Sequence, residues 1–205
     1  MRGLVRVGAA VPSLALGNVK ENMKRHLAMM REAKEKHVSI VTFPELSLTG
    51  YTCGDLFFQR RLLDDVTDAL LALKDEMPEG ILAVVGAPLE IEGALYNCAV
   101  VLHKGEIISA VPKTFLPNNG EFYEKRWFQS GDARRDASVA IPKLKTDVCR
   151  QAIFETEDGV RFGIELCEDL WAPLPPSTML SVEGAEIILN LSASNELLSK
   201  REYRP

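Results

Sequence analysis

The chain has 205 residues, of which 46% are hydrophobic and 26% are charged, a composition suited to one globular domain with a substantial core. Its formal net charge of -5 and the lack of a long apolar run argue against nucleic acid and membranes as partners. The four cysteines include no C-x-x-C pair, and the three histidines form no H-x-x-x-H pattern. This disfavours a zinc site, a metal hydrolase and a disulfide framework, and we therefore expect a cytoplasmic protein without a metal.

The first half of the chain alternates strand and helix patterns. Residues 4–11 are typical of a strand, and Asn18 can cap a helix whose apolar residues recur every three or four positions. The short apolar stretch "HVSIVTF" predicts a strand that is covered on both faces. A second amphipathic helix is predicted from about residue 55 to residue 77, where Pro78 ends it. This order is typical of an α/β fold.

The second half begins with strand patterns and returns to mixed elements. "GILAVVGAPLEI" and "LYNCAVVLHKGEIISAVPK" predict strands, with a hairpin turn at Lys104 and Gly105. Residues 114–136 have no periodicity and contain "PNNG", which indicates a long loop of the kind that is often functional. Strands are predicted near residues 150–154 and 161–167, followed by a short helix near 177–183 and the strand "AEIILNLSA".

Three chemically reactive side chains stand where predicted strands end. Glu45 follows "IVTFP", Lys113 follows "IISAVP" and Cys167 follows "VRFGIEL". Strand ends are rigid while the loops beyond them are open to ligand, so we expect the three to meet in one site.

The segment "GIELCEDLW" surrounds Cys167 with carboxylates, which oppose the thiolate that makes cysteine reactive. A lysine at contact distance would favour the thiolate by about 4 kcal/mol, or about 3 pKa units. We therefore expect Lys113 to lower the pKa of Cys167.

Three ordered segments carry a family resemblance. "FPELSLTGY", "PKTFLPNNGEFYEKRWF" and "ELCEDLW" with "NLSASN" resemble the signature regions of the nitrilase (carbon-nitrogen hydrolase) superfamily. More narrowly, "YTCGDLF", "EFYEKRWF" and "CEDLW" resemble the amino-terminal glutaminase domain of glutamine-dependent NAD synthetases, over nearly the whole chain. The resemblance implies a four-layer α-β-β-α sandwich formed by residues 1–205. It also implies that the domain is truncated at its carboxyl end, after "SKREYRP".

The resemblance also implies roles for individual residues. It makes Glu45 the general base, Lys113 the electrostatic stabiliser and Cys167 the nucleophile. Glu121 would orient the lysine. The substrate would contact Tyr51, Phe122, Glu168 and Ser194, with Glu168 suited to an α-ammonium group. Where many such synthetases carry an aromatic residue, this chain has Asn119, which leaves the role of that loop open.

The function implied by the resemblance is hydrolysis of L-glutamine to glutamate and ammonia through a cysteine thioester. The ammonia would serve the amidation of deaminido-NAD in a carboxyl-terminal synthetase domain that is absent from this chain. ATP, magnesium and deaminido-NAD would bind only there, so no cofactor is expected in this domain, and homo-oligomers are expected. Two alternatives stay open: a free-standing nitrilase-superfamily amidase or carbamoylase, and a non-catalytic binding or assembly module.

Overall fold

Two β-sheets stacked face to face form the centre of the computed structural model, which describes residues 4–103, 105–133, 139–141, 143–195, 197–199 and 202. Lys104, in the predicted hairpin turn, lies outside the described residues. The larger sheet contains β1 (Val7–Ala9), β2 (Ile40–Thr42), β3 (Leu82–Ile91), β4 (Ala94–His103), β5 (Glu106–Pro112), β6 (Val139–Ile141) and β7 (Thr146–Val148). The smaller sheet contains β8 (Ile153–Glu155), β9 (Arg161–Leu166) and β10 (Ile187–Leu191).

The strand order of the larger sheet is β1-β2-β3-β4-β5-β7-β6. Strands β1, β2 and β3 are parallel, whereas β3, β4 and β5 form two antiparallel hairpins. The smaller sheet has the order β10-β9-β8, with β9 and β10 parallel. The carboxyl ends of β2, β5 and β9 are therefore the positions from which the three predicted reactive residues emerge.

Helices cover the outer face of each sheet. The described residues form the α-helices α1 (Val19–Glu35), α2 (Arg60–Glu76), α3 (Glu124–Trp127) and α4 (Pro176–Val182), and 3-10 helices at Tyr51–Phe58, Gly131–Ala133 and Cys167–Trp171. Helix α3 lies beside the first of these 3-10 helices. Apolar residues of α1 and α2 pack on one face of the larger sheet. The opposite face meets the smaller sheet, and α4 packs on the far side of that sheet, where Leu180 adjoins Gly163. The predicted four-layer α-β-β-α sandwich is confirmed.

Element boundaries differ from the predicted ones at several places, and the largest differences are in the first strand and before α2. The strand predicted over residues 4–11 is confined to Val7–Ala9. The helix predicted from residue 55 begins at Arg60, because Gly54 has a positive φ of 58° and Gln59 is extended. The residues before α2 therefore form the separate 3-10 helix Tyr51–Phe58, and this segment belongs to the site described below. No helix in the described part of the chain is long and apolar enough to cross a membrane.

Helix α1 holds the loop that follows β2. The Asn22 amide donates to the carbonyl oxygen of Leu48 at 3.0 Å, and the ring of His26 lies 2.8 Å from the Ser47 hydroxyl. Burial lowers the pKa of His26 to about 4, so its ring is neutral at pH 7. Its role is a structural hydrogen bond to the loop. These contacts fix the backbone on which Glu45 is carried.

We expect the substitution Gly86→Ala to disturb this loop. A Cβ atom at Gly86 would lie 2.3 Å from the carbonyl oxygen of Pro44 and 2.4 Å from the amide nitrogen of Leu46, so the backbone of Glu45 must move. Overpacking of this kind costs about 1–3 kcal/mol of unfolding free energy, measurable by urea denaturation. Gly8→Ala is the control, because its nearest contact is a valine side chain at 3.3 Å. Equal losses in the two variants would contradict the expectation.

Candidate active site

The three predicted reactive residues converge in one buried cluster. Glu45, Lys113 and Cys167 are respectively 1%, 0% and 9% exposed. The Lys113 ammonium lies 2.6 Å from Glu45 Oε1. The Cys167 thiol lies close enough to the Glu45 carboxylate and to Lys113 for both to act on its pKa. Residues 45, 113 and 167 thus bring an acid, a cation and a sulfur to the same carboxyl edge of the two sheets.

The backbone at the cysteine is in an unusual conformation. Cys167 has a φ of 44°, and Leu46, directly after Glu45, has a φ of 51°. Side-chain-bearing residues rarely adopt this left-handed region, and when they do they are often found at functional sites. At Cys167 the conformation turns the chain from β9 into the 3-10 helix Cys167–Trp171.

Glu124 of α3 is the fourth member of the cluster, and the sequence argument missed it. Its Oε1 atom lies 2.6 Å from Lys113 Nζ, and its side chain is buried. The residue expected to orient the lysine, Glu121, is exposed and accepts a hydrogen bond from the side chain of Asn195. Helix α3 turns Glu124 inward, while Glu121 lies in the turn that precedes the helix, so the orienting role expected of Glu121 stays a prediction.

Asn97 of β4 was also missed. Its Nδ2 atom donates to Glu45 Oε1 at 2.7 Å and lies 3.4 Å from Glu124 Oε2, while its Oδ1 atom is buried without a hydrogen-bond partner. Its main-chain oxygen accepts from the Lys113 amide at 2.8 Å. The signal was visible as a single amide in the apolar strand "LYNCAVVL", since a polar side chain inside a strand needs a partner.

Burial and the charges of the cluster act together on the pKa values of Lys113 and Cys167. Burial opposes the charge on Lys113, but Glu45 and Glu124 outweigh it and raise the pKa of the lysine. Burial and the Glu45 carboxylate raise the pKa of Cys167 to about 12, against the opposing influence of Lys113. Lys113 thus lowers the pKa of Cys167, as predicted, but burial and the Glu45 carboxylate outweigh its influence. The cysteine is a neutral thiol at pH 7.

Three of the predicted substrate contacts surround this cluster. The Tyr51 hydroxyl donates to Glu124 Oε1 at 2.8 Å, and the Tyr51 ring meets Phe122 edge to face at 6.2 Å. Burial and Glu124 raise the pKa of Tyr51. Ser194 is half-buried and follows Ala193, whose main-chain N–H donates to Glu45 Oε2 at 3.0 Å. Tyr51 is thus tied to the charged cluster itself.

Glu168, the fourth predicted contact, is half-buried and lines a neighbouring cleft of about 410 Å³. Thr114, Phe115, Lys125 and Trp171 also line this cleft. It therefore adjoins the two residues that follow Lys113 and the helical turn that follows Cys167.

The other two acids near the cysteine accept hydrogen bonds from backbone amides and from one side chain. Glu165 accepts hydrogen bonds from the Ser177 amide and the Asn190 side chain. Asp169 accepts from the amides of Phe115 at 2.7 Å and Leu166 at 3.0 Å, and so ties the end of β5 to the end of β9. Burial raises the pKa of Asp169 to about 7 despite these donors. The carboxylates therefore build the site without crowding the thiol.

Comparison with known proteins places this arrangement in a family. Residues 6–203 match the carbon-nitrogen hydrolase model. The chain is 37% identical over 205 residues to a glutamine-dependent NAD(+) synthetase of Mycobacterium tuberculosis, covering 98% of this chain and 30% of that protein. It is 30% identical over 191 residues to the synthetase of Homo sapiens, covering 89% and 27%.

Solved structures give the same picture of the fold. A glutamine-dependent NAD(+) synthetase from Cytophaga hutchinsonii is similar with a TM-score of 0.84 and 29% identity, covering 98% of this chain and 32% of that one. An amidase from Nesterenkonia sp. shares the fold with a TM-score of 0.74 at 17% identity, covering 96% and 68%. The chain thus spans about 30% of the length of its curated relatives. On the family match over residues 6–203, the chain belongs to the carbon-nitrogen hydrolase family.

Proposed function

We propose that this chain is the glutaminase domain of a glutamine-dependent NAD synthetase and hydrolyses L-glutamine to glutamate and ammonia. The observation that carries the proposal is the buried contact of Lys113 with Glu45, at 2.6 Å, beside the Cys167 thiol. Amide hydrolysis by cysteine needs a nucleophile, a proton acceptor and positive charge at the developing oxyanion. The names of the relatives supply the substrate, glutamine.

The first half of the reaction forms the thioester. The Cys167 sulfur attacks the carboxamide carbon while its proton passes to Glu45, so the neutral thiol loses its proton only as the carbon–sulfur bond forms. Lys113 and the amide of Glu168 stabilise the oxyanion. Collapse of the tetrahedral intermediate breaks the carbon–nitrogen bond, and Glu45 returns the proton to the departing nitrogen, which leaves as ammonia.

The hydrogen bonds of Glu45 indicate which oxygen moves the proton. Its Oε1 atom accepts from both Lys113 Nζ and Asn97 Nδ2, whereas Oε2 accepts from the Ala193 amide. Oε2 therefore has the freer lone pair and takes the thiol proton. In the second half of the reaction the same atom removes a proton from water, which attacks the thioester. Breaking the carbon–sulfur bond releases glutamate and restores the thiol.

The charge of the site favours a substrate that carries an ammonium group. One buried ammonium faces the carboxylates of Glu45 and Glu124, and the half-buried Glu168 adds a further carboxylate next to the nucleophile. An α-ammonium group would be attracted to this region, whereas a purely anionic substrate, such as an N-carbamoyl amino acid, would be repelled. This distinguishes glutamine from the substrates of a carbamoylase.

The remaining parts of the proposal concern the whole protein. The ammonia serves the amidation of deaminido-NAD in a carboxyl-terminal synthetase domain, where ATP and magnesium bind. The glutaminase domain itself needs no cofactor. We place the protein in the cytoplasm as a homo-oligomer, in line with the family resemblance.

A glutamine-like electrophile tests the proposed reaction. Diazo-oxo-norleucine should add to Cys167 alone, and Cys167→Ala should abolish both labelling and the release of ammonia from glutamine. Mass spectrometry of the peptides locates the adduct, and Cys149→Ala is the control, because this half-buried cysteine lies outside the site. A folded protein that neither reacts nor releases ammonia would support a binding module instead. Faster hydrolysis of simple aliphatic amides or carbamoyl compounds than of glutamine would support the free-standing amidase.

The two glutamates of the loop are expected to have different effects. Glu124→Gln removes a charge that contacts Lys113 directly, so we expect kcat for glutamine to fall by about a hundredfold, the range found when a supporting charge is lost from a reaction centre. Glu121→Gln changes an exposed side chain paired with Asn195 and should alter kcat by less than about threefold. Steady-state kinetics measure both. The reverse order would contradict the role of Glu124 and support the orienting role expected of Glu121.

A further inference from the structure

Asp55, on the surface, joins two short elements that both contact the active site. One Asp55 oxygen accepts from Arg126 Nε at 2.7 Å and from Trp127 Nε1 at 2.9 Å, and the other accepts from Arg126 Nη2 at 2.7 Å. Arg126 and Trp127 belong to α3, whereas Asp55 belongs to the 3-10 helix Tyr51–Phe58. We call this group of three residues the Asp55 clamp.

The element held by the clamp carries Glu124. Helix α3 has only four residues, and its first turn receives no side-chain cap. A helix of one turn is not stable by itself, because the conformational entropy lost in forming the turn exceeds the free energy gained from its hydrogen bonds. The orientation of Glu124 toward Lys113 must therefore come from contacts with other elements.

The 3-10 helix supplies those contacts at three points. Tyr51, at its start, donates to Glu124 itself. Phe57, near its end, packs against the rings of Trp127 at 5.8 Å and Phe128 at 5.0 Å. Asp55 lies between these two points, and its bidentate contact with a guanidinium has a defined direction that aromatic packing lacks. The clamp therefore fixes the rotation of α3 against its neighbour.

We propose that Asp55 is a positioning residue for the reaction centre, which holds α3 so that the Glu124 carboxylate stays on the Lys113 ammonium. In this role Asp55 contacts no substrate and acts through Glu124. The link to glutamine turnover rests on the proposed function, whereas the link to the charge state of Cys167 depends only on the geometry of the cluster.

A positioning role explains the Asp55 clamp better than a contribution to the stability of the fold does. The Asp55 and Arg126 side chains are 60% and 58% exposed, and exposed ion pairs contribute little to the free energy of unfolding. The hydrogen bonds from Arg126 and Trp127 nevertheless lower the pKa of Asp55, so its carboxylate stays charged and engaged over the range in which the site works. Loss of the clamp should leave the fold intact and loosen α3.

The reactivity of Cys167 provides a readout that needs no substrate. Iodoacetamide alkylates thiolates, and mass spectrometry follows Cys167 separately from the other cysteines between about pH 6 and pH 9, a range below the pKa of an ordinary lysine. Removing the Glu124 charge leaves Lys113 less compensated, which lowers the pKa of Cys167. We expect Glu124→Gln to accelerate alkylation at pH 7 by about tenfold or more.

Asp55→Ala should change alkylation in the same direction through the same group. We expect an acceleration of about threefold to tenfold with an unchanged unfolding midpoint, since small displacements of a supporting group have effects of this order. Adding Asp55→Ala to Glu124→Gln should produce no further change, because the charge that Asp55 positions is already absent. In glutamine hydrolysis, the single substitution Asp55→Ala should lower kcat by a larger factor than it raises KM.

The matched control is Asp65→Ala. Asp65 also pairs with an arginine on the surface, Arg61 at 2.8 Å, but both residues lie on α2 without a contact to α3. This variant should alkylate at the wild-type rate. The proposal is overturned if Asp55→Ala alkylates within about 1.5-fold of the wild type, or if its effect is undiminished in the Glu124→Gln background. If the protein fails to hydrolyse glutamine but shows the expected alkylation pattern, the proposed function is refuted while the positioning role of Asp55 is supported.

Discussion

The Lys113 ammonium lies 2.6 Å from a carboxylate oxygen of both Glu45 and Glu124, in an interior that excludes solvent from all three side chains. An isolated charge in such a place would cost several kcal/mol, and loss of one partner from a buried pair typically costs about 3–5 kcal/mol. The three residues come from the ends of β2 and β5 and from α3. The ionic contact therefore forms only when the ends of β2 and β5 and the long connection after β5 have their native positions relative to one another.

The same contact sets the chemistry of the cysteine. Lys113 favours the thiolate, but burial and the Glu45 carboxylate outweigh this influence and keep the resting sulfur protonated. The proton must then leave as the substrate is attacked, and the base next to the thiol is Glu45. Positive charge becomes available to the oxyanion once that base is protonated, because Lys113 then faces one carboxylate fewer. The contact of Lys113 with the two glutamates therefore has two effects. It balances the lysine charge in the resting enzyme, and it frees part of that charge for the oxyanion when Glu45 takes the proton.

Sequence reasoning found the α/β class and the three reactive residues, since both depend on local patterns. Alternation of apolar strands and amphipathic helices predicts an α/β fold, the family resemblance implies the four-layer sandwich, and Glu45, Lys113 and Cys167 each follow a strand. Sequence reasoning failed in the long loop, where it could not tell which side chains point into the protein interior. Residues 114–136 lack periodicity, so nothing distinguished Glu121 from Glu124 until α3 was seen to turn the latter inward. The raised pKa of Cys167 was not foreseen either, because its largest cause is the burial of the thiol, which depends on the tertiary packing.

The protonation state of Cys167 tests the central claim most directly. Thiolates absorb in the ultraviolet where thiols do not, so the difference spectrum between the wild type and Cys167→Ala follows this one group as the pH is raised. The charge arrangement predicts no thiolate signal from Cys167 at pH 7, and none until well above the ordinary cysteine pKa of about 8.5. A full thiolate signal at pH 7 would show that Lys113 stands uncompensated beside the sulfur, and would contradict the account.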